Sequence, residues 1–136
     1  RMYLVDLPGY GYAAISKVER RAFAPLVDSY LGGGRETLRG ALVLVDSRRG
    51  AQEEEIELVA WLIEAGIDAR AVLTKCDKLG RSELERVRRE LAAALGLPLE
   101  RVAAVSAKAG TGLAALAAWL LAWTGLEFRR PDGLPL

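Results

Sequence analysis

The stretch Leu73-Thr74-Lys75-Cys76-Asp77-Lys78-Leu79 decides how the rest of the sequence is interpreted. It ends an apolar run and precedes a charged segment with helical spacing, a pattern that predicts a buried strand leading into a loop. An ionised Asp77 carboxylate offers two acceptor oxygens. Guanine presents two adjacent donors, N1–H and its N2 amine, whereas adenine has no such pair. Thr74-Lys75-Cys76-Asp77 therefore predicts a guanine-reading loop, in which the Lys75 stem covers the base and the Thr74 hydroxyl tethers a neighbouring loop.

The remainder of the chain alternates apolar runs with helical patterns. Strands are predicted at Met2–Val5, Ala41–Val45, Arg70–Thr74 and Arg101–Val105. Helices are predicted at about 16–31, 53–65, from a capping box at Ser82–Glu85 to Gly96, and 111–123. Four successive strand–helix units require a parallel sheet with right-handed crossovers, and so an α/β fold.

The helical spacing also predicts which side chains face the sheet. The apolar stripe of the 53–65 helix comprises Ile56, Val59, Ala60 and Ile63. The stripe of the following helix comprises Leu84, Val87, Leu91 and Leu95. Trp119 and Trp123 are four residues apart on one face of the last helix, and we interpret them as residues that cover the sheet.

Every polar motif follows a predicted strand. These motifs are Asp6-x-x-Gly9, Asp46, Thr74-Lys75-x-Asp77 and Ser106-Ala107-Lys108. In open parallel sheets ligands bind at the carboxyl edge, so we expect the motifs to converge there. Asp6 is predicted to hold Mg²⁺ through water, because this ion keeps much of its hydration shell. Gly9 lets a backbone N–H approach a terminal phosphate. Ser106 is predicted to steady Asp77, and the Ala107 N–H to donate to guanine O6.

Composition excludes several other classes of protein. The 136 residues are 51% hydrophobic and 27% charged, as in a globular domain, and the net charge of +1 gives no electrostatic case for DNA binding. A single cysteine and no histidine argue against disulfides and zinc sites, and fit a cytoplasmic location. No apolar run of membrane-spanning length occurs. Cys76 occupies the variable position of its motif.

The motifs together carry a family resemblance. Val5–Ala13, Leu44–Arg48, Leu73–Leu79 and Ser106–Lys108 resemble the EngB family of bacterial ribosome-assembly GTPases, within the Ras-like P-loop superfamily. The resemblance implies GTP or GDP and Mg²⁺ as cofactors, slow GTP hydrolysis, association with the large ribosomal subunit and a link to normal septation. It implies a three-layer fold with a mainly parallel sheet. The GTP-binding residues it implies are Asp6, Leu7, Pro8, Gly9, Thr74, Lys75, Cys76, Asp77, Ser106, Ala107 and Lys108.

One departure from the family pattern bears on activity. The phosphate-binding motif Gly-x-x-x-x-Gly-Lys-[Ser/Thr] is absent, and Gly32-Gly33-Gly34 is no substitute because it lacks the spacing and the lysine. We therefore expect residues 1–128 to be the C-terminal two-thirds of a GTPase domain, without its first two strands and first helix, followed by a loose tail at 129–136. The family's first strand would lie between the Met2–Val5 and Ala41–Val45 strands, whose exposed edges predict self-association.

Two other functions fit parts of the pattern. A degenerate, non-catalytic GTPase domain would bind the ribosome without turnover, and this chain alone is expected to be inactive. A Rossmann-type oxidoreductase would need Gly-x-Gly-x-x-Gly or Ala after a strand, which the run Gly9 to Ala14 satisfies. Pro8 before the first glycine and the guanine motif argue against the oxidoreductase.

Overall fold

The computed structural model describes residues 2–7, 25, 29–30 and 36–126. Within them the chain forms a parallel three-stranded sheet, in the order β1 (Ala41–Asp46), β2 (Ala69–Thr74) and β3 (Val102–Ala104). The connecting helices are α1 (Glu53–Glu64) and α2 (Arg81–Leu95), and α3 (Leu113–Thr124) follows β3. Within residues 36–126 the predicted alternation of strands and helices is confirmed. Of the predicted helix at 16–31 the structure describes residues 25, 29 and 30, which are helical. The tail at 129–136 lies outside the described residues.

The register of the sheet brings the ends of β1 and β2 level. Ala41 is paired with Ala69 and Asp46 with Thr74, while Ala71 is paired with Val102. Two bonds continue the ladder beyond the strands, from Ser47 N–H to the Thr74 carbonyl (3.0 Å) and from Val105 N–H to the Leu73 carbonyl (2.8 Å). All three strands therefore deliver their following loops to one edge.

Helices cover both faces of the sheet. Ala69, Ala71 and Leu73 are fully buried in the core with α1 and α2. Successive strand residues point to opposite faces, so Arg70 lies on the other side. There its guanidinium stacks 5.0 Å from the ring centroid of Trp119 and 5.1 Å from that of Trp123. The last helix therefore forms the third layer, as the interpretation of its tryptophans predicted.

The start of α2 differs from the prediction. The helix begins at Arg81 with Gly80 as its N-cap and without a side-chain cap, so the predicted Ser82–Glu85 capping box is wrong. Its end agrees, because Gly96 takes the left-handed conformation (φ 64°) that closes a helix. The predicted inward residues are confirmed, with Leu91 and Leu95 buried and Leu84 and Val87 packed against the core.

The buried face of α1 is rotated by about one residue from the predicted stripe. Val59 is buried as predicted, but Ile56 and Ile63 are exposed, and the other buried positions are Glu55 and Leu62. Glu55 is drawn inward because its carboxylate accepts a hydrogen bond from Gln52 N–H at 2.7 Å, at the start of the helix. The sequence pattern alone could not favour a glutamate over an isoleucine at a buried position.

The predicted Met2–Val5 strand does not form. Residues 2–7 have no regular secondary structure, and Tyr3, Leu4 and Val5 are 79%, 71% and 53% exposed. Among the described residues β1 pairs only with β2, so its other edge has no neighbouring strand. A strand at Met2–Val5 would need such a neighbour for its backbone hydrogen bonds.

A cleft of about 890 Å³ runs along that edge of β1, and we call it the β1 cleft. Its walls are residues 2–7, the strand itself, and side chains of α1 and α3 including Leu58, Leu62, Leu120 and Trp123. Among the described residues, no helix has the length and apolar character needed to cross a membrane.

Candidate functional site

The site is built from the loops that follow β2 and β3. The short helical turn Cys76–Lys78 follows β2, and Ser106 opens the turn that follows β3. A hydrogen bond from Cys76 N–H to the Val105 carbonyl (3.1 Å) joins the two loops through their backbones. Cys76 is buried, and its thiol donates to the Leu73 carbonyl at 3.2 Å. Burial raises the pKa of the Cys76 thiol, so this side chain anchors the loop as a neutral group.

A side-chain hydrogen bond completes the connection between the loops. The Ser106 hydroxyl donates to Asp77 Oδ1 at 2.7 Å and accepts a bond from Ala109 N–H at 3.1 Å. Ser106 is buried, and its backbone exchanges two hydrogen bonds with Thr111, at 3.0 and 3.1 Å. The prediction that Ser106 steadies Asp77 is therefore borne out by the geometry.

Asp77 itself is exposed and ionised. The Ser106 hydrogen bond is the main reason that the pKa of Asp77 lies below its usual value, and the charges of Lys78 and Lys108 lower it further. Lys78 Nζ stands 4.0 Å from Asp77 Oδ2, too far for a hydrogen bond. One carboxylate oxygen is thus fixed by Ser106, and the other lies within ion-pair distance of the Lys78 ammonium.

Thr74 and Lys75 connect the site to β1. The Thr74 hydroxyl lies 3.4 Å from the Val45 carbonyl, a long hydrogen bond to the end of the neighbouring strand, whereas the predicted tether was to a neighbouring loop. Lys75 takes the left-handed conformation (φ 58°) and is the one non-glycine residue with positive φ in the described part of the chain. Its ammonium lies 2.9 Å from Asp46 Oδ2. No feature of the sequence alone paired these two charges.

The remaining predicted residues fall in different places. Ala107 and Lys108 occupy the exposed turn after Ser106, beside Asp77. Asp6 and Leu7 line the β1 cleft, whose lining includes none of the residues of the Asp77 site. Pro8 and Gly9 lie outside the described residues. The structure thus brings together the predicted base-reading residues, and it places Asp6 and Leu7 elsewhere.

The comparisons with known proteins identify relatives of this chain. The chain is similar to the probable GTP-binding protein EngB of Desulforapulum autotrophicum, with 43% identity over 109 residues, covering 80% of this chain and 56% of that protein. It is 37% identical over 130 residues to the protein of the same name from Lacticaseibacillus casei, covering 95% of this chain and 65% of that one. No family model matches the sequence.

The fold has a solved counterpart. A crystal structure of a probable GTP-binding protein EngB superposes with a TM-score of 0.72 at 20% identity, covering 87% of this chain and 75% of that chain. The three-layer α/β architecture with a parallel sheet is therefore that of a P-loop GTPase. The chain belongs to the EngB family, and it spans between about half and two-thirds of the length of these curated relatives.

Proposed function

We propose that this chain carries the guanine-recognition half of a GTP-binding site. The observation that supports it is the 2.7 Å bond between Ser106 and Asp77, which fixes a partly exposed, ionised carboxylate at the edge where three strands end. An aspartate held in this way presents acceptor oxygens to the N1–H and N2 amine of guanine. Adenine, with an amine and an unprotonated N1 at that edge, would face the carboxylate with a single donor.

The proposal assigns a part to each neighbouring residue. Lys75 would cover one face of the base, and the Ala107 N–H would donate to O6. Thr74 holds the loop against β1 through its hydroxyl, and Cys76 holds it against the end of β3 through its N–H bond to the Val105 carbonyl. Binding of GTP or GDP by this chain would then depend chiefly on the base, because the sequence contains no Gly-x-x-x-x-Gly-Lys-[Ser/Thr] motif. We accordingly propose that the chain by itself does not turn over GTP.

Magnesium belongs to the same proposal. Mg²⁺ is commonly held through one or two carboxylates, several waters and the phosphates of a nucleotide. Asp6 is an exposed carboxylate and fits a water-mediated role, although the described residues contain no cluster of three metal-binding side chains. When bound, the ion would neutralise phosphate charge. Asp6, Leu7, Pro8 and Gly9 would then form the phosphate side of the site.

Two partners are proposed on separate grounds. Association with the large ribosomal subunit, with a role in its assembly and in septation, rests on the family to which the chain belongs, and would place it in the cytoplasm. Self-association rests on β1, whose outer edge pairs with no strand among the described residues and whose Leu44 is 61% exposed. We propose that a second copy of the chain pairs with this edge, so that the two β1 strands run antiparallel about a two-fold axis.

The experiment titrates the ¹⁵N-labelled 136-residue chain with GDP and with ADP, followed by backbone NMR. For a site that contacts the base alone we expect an affinity on the order of 1 mM. GDP should shift the resonances of Thr74–Asp77 and Ser106–Lys108, whereas ADP should leave them in place. Equal shifts with both nucleotides, or shifts elsewhere only, would contradict guanine recognition. Glu83→Gln, at an exposed carboxylate on α2, is the matched control and should bind GDP like the parent.

A further inference from the structure

Asp46 is the one polar residue at a strand end to which the guanine site gives no role. It ends β1 directly opposite Thr74, the first residue of the guanine-reading loop. Its carboxylate lies 2.9 Å from Lys75 Nζ, and the same oxygen lies 2.9 Å from Arg48 Nη2. Its second oxygen accepts from Arg48 Nε at 3.1 Å and from Arg48 N–H at 2.9 Å. Both oxygens of Asp46 are therefore engaged.

The surroundings keep this carboxylate charged and in place. The Arg48 hydrogen bonds, followed by the bond from Lys75, hold the pKa of Asp46 far below its usual range. The Asp46 side chain is 22% exposed, although those of Lys75 and Arg48 are 56% and 51% exposed. For comparison, the Arg86–Glu90 pair on α2 is shorter, at 2.7 Å, but its side chains are 59% and 60% exposed. Exposed pairs of that kind contribute little, whereas a carboxylate held by three groups has a fixed geometry.

The loop after β1 also contacts the backbone of Lys75. Ser47, which follows Asp46, is buried and donates from its hydroxyl to the Lys75 carbonyl at 3.2 Å. On the other side, Lys78 N–H donates to the same carbonyl at 3.0 Å. A left-handed conformation is unfavourable for a lysine, so these contacts select it. Residues Asp46 to Arg48 thus contact both the backbone and the ammonium of Lys75.

We infer that Asp46 is a positioning residue for Lys75: it fixes the ammonium so that the aliphatic stem is already extended beside the site when the base arrives. Arg48 in turn orients Asp46. The inference rests on the proposed guanine site for its consequence in binding, but the ion pair itself is a property of the free chain. The loop after β1 then belongs to the site, which the sequence motifs had placed after β2 and β3 alone.

A flexible lysine would have to be ordered by the base, whereas a lysine held by Asp46 is ordered beforehand, which increases affinity. Asp46 does not reach the base edge that Asp77 reads. Its loss should therefore lower affinity for every purine that Lys75 covers, and should leave the choice between purines unchanged. This separates Asp46 from Asp77, whose replacement should change the choice.

The experiment first observes the lysine directly. The sequence has four lysines, so their ε-ammonium groups can be assigned by ¹³C,¹⁵N-edited NMR. In the parent, the Lys75 ammonium should show slower proton exchange and more restricted motion than that of Lys78. Asp46→Asn should remove both effects, and Glu90→Gln, which breaks the exposed pair on α2, should preserve them. A Lys75 ammonium as mobile as that of Lys78 in the parent would overturn the inference.

Binding is then measured with GDP and XDP. Asp46→Asn should weaken GDP binding by about 5- to 10-fold with the GDP-to-XDP ratio unchanged. In a Lys75→Met background the same substitution should have no further effect, because its partner is gone. The inference would be overturned if Asp46→Asn weakened GDP binding by the same factor in the Lys75→Met background as in the parent. It would also be overturned if Asp46→Asn alone left the GDP affinity unchanged. Failure of the parent to prefer GDP to ADP would instead refute the proposed function, while the ammonium signals still decide the role of Asp46.

Discussion

The attachment of α3 gives the sharpest prediction about stability. No residue of this helix is fully buried, although its sequence is almost wholly apolar. Its polar attachment runs through Trp123, whose indole N–H donates to Asp68 Oδ2 at 2.6 Å. Asp68 also pairs with Arg70 at 3.1 Å and with Arg101 at 3.2 Å. Trp123→Phe removes the indole donor and keeps an aromatic ring over Arg70.

The expected magnitude follows from these contacts. A hydrogen bond to a charged group contributes roughly 1.5–3 kcal/mol, and the 28% exposure of the Asp68 side chain reduces this to about 1–2 kcal/mol. For a domain of this size each kcal/mol corresponds to about 3–5 °C in the melting temperature. Urea and thermal denaturation, followed by circular dichroism, measure both quantities.

The control is Trp61→Phe, which makes the same change in a tryptophan of α1 that packs against the core. The two variants lose the same atoms, so the excess loss in Trp123→Phe isolates the bond to Asp68. Equal losses of stability in the two variants would refute the role assigned to Trp123.

The pH dependence supplies a second check. Burial raises the pKa of Asp68, but the hydrogen bonds from Trp123 and Arg70 outweigh it and the pKa lies below its usual value. A carboxyl with a depressed pKa in the folded state contributes stability above its unfolded pKa, near 4, and loses that contribution as the pH falls. The difference in the free energy of unfolding between the parent and Trp123→Phe should therefore shrink as the pH falls from about 5 to about 3. A difference that stays constant over this range would contradict the assignment.

Three further outcomes are expected. Ser106→Ala frees Asp77 and leaves the Ala109 N–H without its acceptor, so the GDP affinity obtained from NMR titration should fall by about 10-fold. Thr111→Ser keeps the backbone pairing and should bind GDP like the parent. Gly40→Ala places a Cβ in steric conflict with the Trp123 ring and should cost about 1–3 kcal/mol in urea unfolding, and an unchanged midpoint would refute the packing described. Light scattering should show concentration-dependent dimers that Leu44→Lys dissociates, and a monomer at all concentrations would exclude pairing through β1.

The sequence predicted most of the sheet and its connections because buried parallel strands are continuous apolar runs, and β1 and β2 differ from their predicted limits by one residue. The strand predicted at Met2–Val5 is wrong. These residues have high β-propensity, but a strand also needs a partner for the hydrogen bonds of its backbone. Propensity is a property of a segment, whereas pairing is a property of the sheet. The burial of Glu55 was missed for a related reason, because a hydrogen bond at the helix start outweighed the apolar pattern.

The base-reading part of the site was predictable because its residues are contiguous and their chemistry is specific. The bond from Ser106 to Asp77 followed from two motifs at the ends of adjacent strands. The contact of Asp46 with Lys75 did not, because it depends on strand register and on a left-handed backbone at a lysine. One signal was present in the sequence, namely an aspartate at the end of a strand and two residues before an arginine.

The central claim is that Asp77 reads guanine, and exchanging its acceptor for a donor tests it most directly. In Asp77→Asn an amide NH₂ can face the carbonyl that xanthine has in place of the guanine amine. Titrating the parent and Asp77→Asn with GDP and XDP should show GDP preferred by the parent and XDP by the variant, with a change in the ratio of roughly 30-fold or more. If Asp77→Asn still prefers GDP to XDP by the same ratio as the parent, Asp77 does not read the base.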